Sequence, residues 1–192
     1  MLKDIKILRT ELLSNNWHTL KKITFEYTKE DGTKETQSRE VYDHGNAATI
    51  LLYNKQQQTV ILTRQFRLPS FINGNVSGML IEACAGLLDD DTPEECAKRE
   101  AEEETGYRVN QVQKIFESYM SAGSLTEIIH FFIAEYSGDM KVNEGGGKED
   151  EKENIEVLEL RFQQALEMIR TNEIKDAKTI MLLQYLRLQN IL

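Results

Sequence analysis

The chain has few of the residues that mark secreted or membrane-bound proteins. Only two of its 192 residues are cysteines and two are prolines. So few cysteines exclude a disulfide framework and are typical of a reducing compartment, so we expect a cytoplasmic protein. No apolar run approaches the roughly 20 residues of a membrane helix. The first residues, Met1 to Lys6, lack the apolar core of a secretory signal. We therefore expect neither a membrane partner nor secretion.

Positive charge and histidine are also scarce. The chain has 23 lysines and arginines against 32 acidic residues, and its formal net charge is −9. This balance argues against a nucleic-acid partner. The three histidines, at positions 18, 44 and 130, do not have the spacing of metal ligands. An anionic substrate would therefore need a bound cation or a few well-placed basic side chains to offset the negative charge of the protein.

The predicted elements indicate a small N-terminal β element followed by one α+β domain. Residues 21–27 and 34–42 flank an Asp-Gly turn at Asp31–Gly32 and predict a β-hairpin, whereas residues 5–13 fit a strand or a short helix. Further on we expect strands over 47–53, 59–66, 80–86, 112–120, 128–136 and 155–160. We also expect a loop that contains Pro69 and Gly74, a loop over 138–154, and helices over 162–171 and 177–188. The predicted division is into domains 1–44 and 45–192.

One helix carries an unusual concentration of acid. Thr92, Pro93 and Glu95 form an N-terminal cap pattern, and Gly106 supplies the C-terminal stop. Within this helix Glu100, Glu103 and Glu104 share one face, where like charges destabilise a bare helix. A divalent cation such as Mg²⁺ would remove that repulsion, because it prefers carboxylate oxygens. The alternative interpretation is a solvated, charged helix face.

The stretch from Gly86 to Tyr107 resembles the Nudix box. The C-terminal half of that pattern is matched at Arg99, Glu100, Ala101, Glu103, Glu104, Gly106 and Tyr107. The N-terminal half departs from it, because Gly86 and Arg99 enclose one residue fewer than the family pattern. As a result Asp91 or Thr92 occupies the position of a family glutamate. That position is not among the core metal ligands, so the resemblance still implies an active hydrolase.

Further likeness extends over most of the chain. The segments 82–88, 119–123 and 145–147 are similar to the nucleoside-diphosphate-sugar branch of the Nudix superfamily, above all to bacterial enzymes that hydrolyse GDP-mannose. The resemblance implies an α+β Nudix fold, with a mixed sheet between helices and an N-terminal antiparallel β element. It implies hydrolysis of GDP-mannose to GMP and mannose 1-phosphate with Mg²⁺, for which Mn²⁺ is a possible substitute.

Two alternatives stay open at this point. The first is hydrolysis of ADP-ribose or another nucleoside diphosphate sugar, although Ala122 replaces the proline of the Ser-Pro-Gly turn that follows the box in this branch. The second is a non-catalytic Nudix fold that senses a ligand. Such proteins usually lose box glutamates, and this chain retains them.

The resemblance also implies the residues of the site. The metal ligands would be the Ala85 carbonyl, Glu100, Glu103, Glu104 and Glu151, and the catalytic residues would be Glu100, Glu103, Glu104 and Glu151. Arg99 would orient Glu103. Glu151 is chosen from a loop that also contains Glu149, Asp150 and Glu153, behind three glycines that allow hinge-like movement.

A larger set would bind the substrate: Trp17, Ser38, Arg39, Glu40, Arg67, Ala85, Gly86, Leu87, Glu104, Glu127, Asp150, Glu151 and Lys178. Without the resemblance, the basic members read as surface ion pairs and Trp17 as a packed aromatic. In this branch the N-terminal element packs across a two-fold axis. We therefore expect a homodimer with shared active sites, in which Trp17 and the strand Ser38–Glu40 reach the partner's site.

Overall fold

The computed structural model describes residues 1–148 and 153–192. The chain divides into two compact units. The smaller contains Met1–Asn46 and Tyr119–Ile128, and the larger contains Ala47–Ser118 and Ile129–Leu192. The smaller unit thus includes a segment from the middle of the chain, which a boundary at residue 44 leaves out.

The smaller unit is built on an antiparallel sheet of three strands. These are β1 (Lys3–Asn15), β2 (Thr19–Thr28) and β3 (Lys34–Asp43), paired in that order. Residues 5–13, which fitted either a strand or a short helix, therefore belong to strand β1. Gly32 has the positive φ of 83° that the turn between β2 and β3 requires. The segment from the middle of the chain joins β3, where the Tyr42 N–H donates to the Ser124 carbonyl at 2.8 Å.

The larger unit is built on a mixed sheet of seven strands. They are β4 (Ala47–Asn54), β5 (Thr59–Phe66), β6 (Met79–Glu82), β7 (Cys84–Leu87), β8 (Gln113–Tyr119), β9 (Ile128–Glu135) and β10 (Glu156–Arg161). The order is β10-β5-β4-β9-β8, with β6 on β5 and β7 on β4. Strands β4 and β9 pair in parallel, whereas β10 with β5, β4 with β5, β4 with β7 and β5 with β6 pair antiparallel, so the sheet is mixed.

Helices cover both faces of this sheet. They are α1 (Leu68–Ile72), α2 (Pro93–Thr105), α3 (Phe162–Arg170) and α4 (Ala177–Leu188). Ile50 of β4 shares a buried cluster with Ala97 of α2. Successive strand residues point to opposite faces of the sheet. On the face opposite α2, Phe116 of β8 contacts Phe131 of β9 and Tyr185 of α4. Every residue of β4 is buried for this reason, and the expected arrangement of a mixed sheet between helices is confirmed.

Two local predictions were wrong. The segment expected to be one strand over 80–86 forms two strands that pair with different neighbours, β5 and β4. The break falls at Ala83, whose N–H donates to Thr179 Oγ1 at 2.7 Å instead of to a strand. The loop that was expected around Pro69 contains α1, with the proline in its first turn.

The structure shows the state of the two cysteines and the character of the helices. Cys84 and Cys96 are both free and buried, so neither forms a disulfide bond. None of the helices in the described part of the chain combines the length and the apolar character that crossing a bilayer requires.

Candidate active site

Helix α2 holds the acidic residues in place, and both of its ends are stabilised locally. The Thr92 hydroxyl accepts the Glu95 N–H at 3.3 Å, and the Glu95 carboxylate accepts the Thr92 N–H at 3.0 Å. The helix ends at Gly106 in the left-handed conformation, with φ of 80°. The spacing of one helical turn then directs Glu100 and Glu104 towards the sheet.

Burial separates these two glutamates from the rest of the acidic helix. Glu104 is 2% exposed, and the Glu100 side chain is 12% exposed. Burial raises the pKa of both carboxyls, and that of Glu104 is held well above its usual range. The charges of Glu100 and Glu153 raise the pKa of Glu104 further. Such an arrangement is unfavourable for the ionised protein unless a cation is bound.

The same region fits a divalent cation. Glu104 Oε2 is buried and has no hydrogen-bond partner among the described residues. The main chain at Gly86 approaches Glu100 so closely that a Cβ there would collide with the carboxylate. Within residues 1–148 and 153–192, no three acidic, histidine or cysteine side chains are arranged to hold a metal by themselves. Further ligands would be the predicted Ala85 carbonyl, water molecules and the predicted Glu151, which lies outside the described residues.

Arg99 connects the helix to the loop before it. Its guanidinium donates to Glu100 Oε1 at 2.6 Å and to Glu103 Oε2 at 3.1 Å. It also donates to Asp91 Oδ2 at 2.7 Å and to the Leu87 carbonyl at 3.2 Å. The predicted contact with Glu103 is present, and Arg99 braces Glu100 as well.

A second charged cluster lies in the larger unit and joins β5, β6 and α4. Arg67 Nε donates to Glu82 Oε2 at 2.6 Å. Lys178 Nζ lies 3.4 Å from Glu82 Oε1 and 2.6 Å from Asp176 Oδ1. Burial opposes the charge of Lys178, but Asp176 and Glu82 outweigh it and raise the pKa of the amine. Our sequence-based prediction did not include Glu82, although an acid inside an apolar strand is a signal for a buried ion pair.

The glycine-rich loop is attached to the C-terminal end of α2. The N–H groups of Gly146 and Gly147 donate to the carbonyls of Glu104 and Glu103 at 2.9 and 3.1 Å. Lys148 Nζ lies 3.1 Å from Glu103 Oε2. Glu153 accepts the Lys148 N–H at 3.1 Å, and its charge acts on both Glu100 and Glu104. The loop thus brings a further carboxylate close to the helix.

Three residues of this loop that the sequence singled out, Glu149, Asp150 and Glu151, lie outside the described residues. The predicted substrate contact of Asp150 and the predicted metal and catalytic roles of Glu151 therefore stay predictions.

The smaller unit contains the other predicted substrate residues. Trp17 is 88% exposed, and its ring stacks on His18 at 5.2 Å between centroids. His18 in turn lies 5.3 Å from the ring of His44, whose Nδ1 is 4.0 Å from Glu127 Oε1. These two histidines had no predicted role. The strand residues Ser38, Arg39 and Glu40 are exposed on β3.

Comparison with known proteins identifies the family. A model of the NUDIX domain matches residues 43–183. The chain belongs to the Nudix family. A second family model, described as the GDP-mannose pyrophosphatase NudK N-terminal domain, matches residues 4–42 of this Nudix chain.

Curated relatives match this Nudix chain from end to end. The GDP-mannose pyrophosphatases of Escherichia coli (strain K12) and of Shigella dysenteriae serotype 1 (strain Sd197) are each 56% identical over 192 residues, covering 100% of both chains. A solved structure, the crystal structure of an ADP compounds hydrolase, superposes with a TM-score of 0.73. It is 18% identical and covers 98% of this chain and 97% of its own, so it supports the fold.

The shortened Nudix box now has a structural explanation. A tight turn precedes α2, in which the Asp91 N–H donates to the Leu88 carbonyl at 2.7 Å. Asp89 has a positive φ of 45° within it. The two residues considered for the position of the family glutamate have different functions here. Asp91 accepts from Arg99, and Thr92 caps the helix.

Proposed function

We propose that the chain hydrolyses the pyrophosphate bond of GDP-mannose and releases GMP and mannose 1-phosphate. The observation that carries the proposal is 56% identity along the whole chain to GDP-mannose pyrophosphatases. The site supports it, since Glu104 is buried near Glu100 and its Oε2 has no hydrogen-bond partner among the described residues, as expected of a cation ligand. One water molecule is consumed, and one P–O bond of the anhydride is broken.

The proposed metal ligands are Glu100, Glu104 and the Ala85 carbonyl, with Glu103 directly or through water. A bound Mg²⁺ ion, or Mn²⁺ in its place, would neutralise charge on the pyrophosphate oxygens and lower the pKa of a water molecule. Arg99 keeps Glu100 and Glu103 oriented through its hydrogen bonds to both. Gly86 leaves the space that the Glu100 carboxylate occupies.

Arg67 and Lys178 are the proposed phosphate contacts in the larger unit. Arg67 uses its Nε for Glu82, and among the described residues no acceptor engages its two terminal nitrogens. Those nitrogens match the geometry of two phosphate oxygens. Trp17, Ser38, Arg39, Glu40 and Glu127 are proposed to bind the nucleoside and sugar.

The glycine-rich loop is proposed to supply the general base. Glu151 is the predicted base, and Glu153 is a second candidate because its charge acts on Glu100 and Glu104. Replacing each by glutamine separately would identify the base, which should lower kcat by about 100-fold or more. Equal, small effects of both replacements would exclude Glu151 and Glu153 as the base.

A homodimer with shared sites is also part of the proposal, with residues 1–44 as the dimerisation element and 45–192 as the hydrolase domain. Strand β1 lies at the edge of its sheet, and its apolar residues Ile5, Ile7 and Leu12 are exposed. A second copy of the chain would cover them. Few cysteines, both of them free, support a cytoplasmic location.

The deciding experiment is a panel of nucleotide sugars with Mg²⁺, with products separated by chromatography. We expect the highest kcat/KM with GDP-mannose, GMP and mannose 1-phosphate as products, and no turnover in EDTA. A higher kcat/KM with ADP-ribose than with GDP-mannose would show that ADP-ribose is the preferred substrate. No turnover of any member would favour a non-catalytic ligand sensor.

A further inference from the structure

Glu82 is a buried acidic residue in the otherwise apolar strand β6. It ends strand β6, and its side chain is only 5% exposed. Its two oxygens contact two different cations, Arg67 through Oε2 and Lys178 through Oε1. Neither cation comes from its own strand, because Arg67 follows β5 and Lys178 lies in the first turn of α4. One buried carboxylate therefore links two elements of the fold at a single point.

We propose that Glu82 is a positioning residue that holds Arg67 and Lys178 in place for the pyrophosphate of the substrate. The proposal rests on the proposed function, which makes these two cations the phosphate contacts. Two cations this close repel each other, and the charge of Arg67 indeed acts to lower the pKa of Lys178. The negative charge between them removes that cost before the substrate arrives, so that both cations are already oriented.

The orientation of Arg67 argues against a purely structural ion pair. Glu82 engages only the Nε of the guanidinium, whose side chain is 41% exposed. Among residues 1–148 and 153–192 no acceptor engages the terminal nitrogens, which leaves them for an oxyanion. A bridge optimised for stability would use them as a bidentate pair. Arg67 is also near enough to Glu104 for its charge to lower the pKa of that carboxyl.

The test compares two variants of Glu82 with a matched control. Glu82→Gln keeps the shape and removes the charge, and Glu82→Asp keeps the charge. Glu156→Gln removes the carboxylate from another arginine pair, that of Arg64 on β5. We expect Glu82→Gln to raise KM for GDP-mannose by about 10- to 100-fold with a smaller change in kcat, since a charged hydrogen bond is at stake.

Glu82→Asp should recover part of the loss, and Glu156→Gln should behave like the wild type. The decisive measurement is a double-mutant cycle with Arg67→Ala. If Glu82 acts through Arg67, Glu82→Gln should have a much smaller effect in the Arg67→Ala background. Fully additive losses in kcat/KM would refute the proposal, as would a Glu82→Gln enzyme with unchanged KM.

A wild-type chain that turned over no nucleotide sugar would instead refute the proposed function. The role of Glu82 would then be judged by calorimetric titration with inorganic pyrophosphate. Glu82→Gln should weaken that binding by about 10-fold or more, and the double-mutant cycle applies unchanged. Equal affinity in Glu82→Gln and wild type would overturn the positioning role.

Discussion

At the scale of single residues, Glu104 combines deep burial with an ionisable carboxyl, which is unfavourable for stability. It is nine-tenths or more buried, its pKa is held well above the usual range by burial, and one of its oxygens has no partner among the described residues. A residue selected for stability would not have these properties. They are expected of a ligand whose partner is a cation.

Replacing Glu104 by glutamine should therefore separate stability from activity. In EDTA we expect Glu104→Gln to stabilise the chain by about 1 kcal/mol or more, because it removes a buried carboxyl of which one oxygen has no partner among the described residues. Hydrolysis should fall by about 100-fold or more, since the metal loses a ligand. Urea unfolding and product release measure the two effects. Glu102→Gln is the control, because Glu102 pairs with Arg108 on the exposed side. A destabilised but active Glu104→Gln variant would contradict this interpretation.

The second prediction at the scale of single residues concerns Gly86. Its missing side chain leaves room for the Glu100 carboxylate, into which a Cβ would project. We expect Gly86→Ala to raise the Mg²⁺ concentration for half-maximal activity by about 10-fold or more, because Glu100 must move. Gly138→Ala is a matched control, since a Cβ there meets nothing within 4 Å. Metal titration of the rate checks this, and unchanged metal dependence in Gly86→Ala would refute it.

At the scale of elements, the contact between the glycine-rich loop and α2 controls where the loop carboxylates lie. The loop N–H groups satisfy carbonyls at the end of the helix that would otherwise lack partners. These hydrogen bonds require the main chain of the loop to lie close to the main chain of the helix. That close approach explains the glycines better than a hinge-like movement of the loop does. Gly145 has a positive φ of 69°, and a Cβ there would meet the Glu104 carbonyl and the Thr105 main chain.

We predict that Gly145→Ala displaces the loop from the helix. The left-handed conformation costs alanine about 1–2 kcal/mol, and the collision with backbone adds to that. Because the predicted base follows in this loop, kcat should fall by about 10-fold or more while the main fold persists. Circular dichroism and steady-state kinetics are the measurements. Wild-type kinetics in Gly145→Ala would show that the loop does not depend on this contact.

The accuracy of prediction also differed between elements, for a physical reason. Helix α2 was predicted closely because its cap, its first proline and its final glycine are all local signals. The strand over 80–86 was predicted wrongly because the Ala83 N–H finds its acceptor 96 residues away, on α4. Glu82 was missed for the same reason, since Lys178 is also 96 residues distant.

At the scale of the whole molecule, the prediction concerns two copies of the chain. The exposed apolar residues of β1 lie on an edge strand, which in a monomer favours aggregation. We expect a dimer by light scattering, and we expect the double variant Ile7→Glu, Leu12→Glu to be a monomer with reduced activity. Lys6→Glu on the same strand is the control for added negative charge. A fully active wild-type monomer would refute the shared site.

Shared sites make a sharper prediction still. Arg39→Ala and Glu104→Gln chains should each be nearly inactive alone. If Arg39 serves the partner's site, about half of the dimers formed on co-expression are mixed, and each mixed dimer contains one intact site. The co-expressed preparation should therefore recover about a quarter of wild-type activity. The recovery should be absent when the two purified variants are mixed without exchange of subunits. No recovery after co-expression would place Arg39 in the site of its own chain.

The family and the acidic helix follow from the sequence, because helix periodicity, capping residues and the Nudix box are contained within a short stretch of chain. The sequence also identifies Arg67 and Lys178 as candidate phosphate contacts through that resemblance. Only the tertiary structure shows that Glu104 is buried whereas Glu103, on the same helix face, is partly exposed and paired with Arg99 and Lys148. Only the tertiary structure places Glu82 between two cations. Burial and ion pairing depend on what distant segments bring to a position, and no local pattern encodes that.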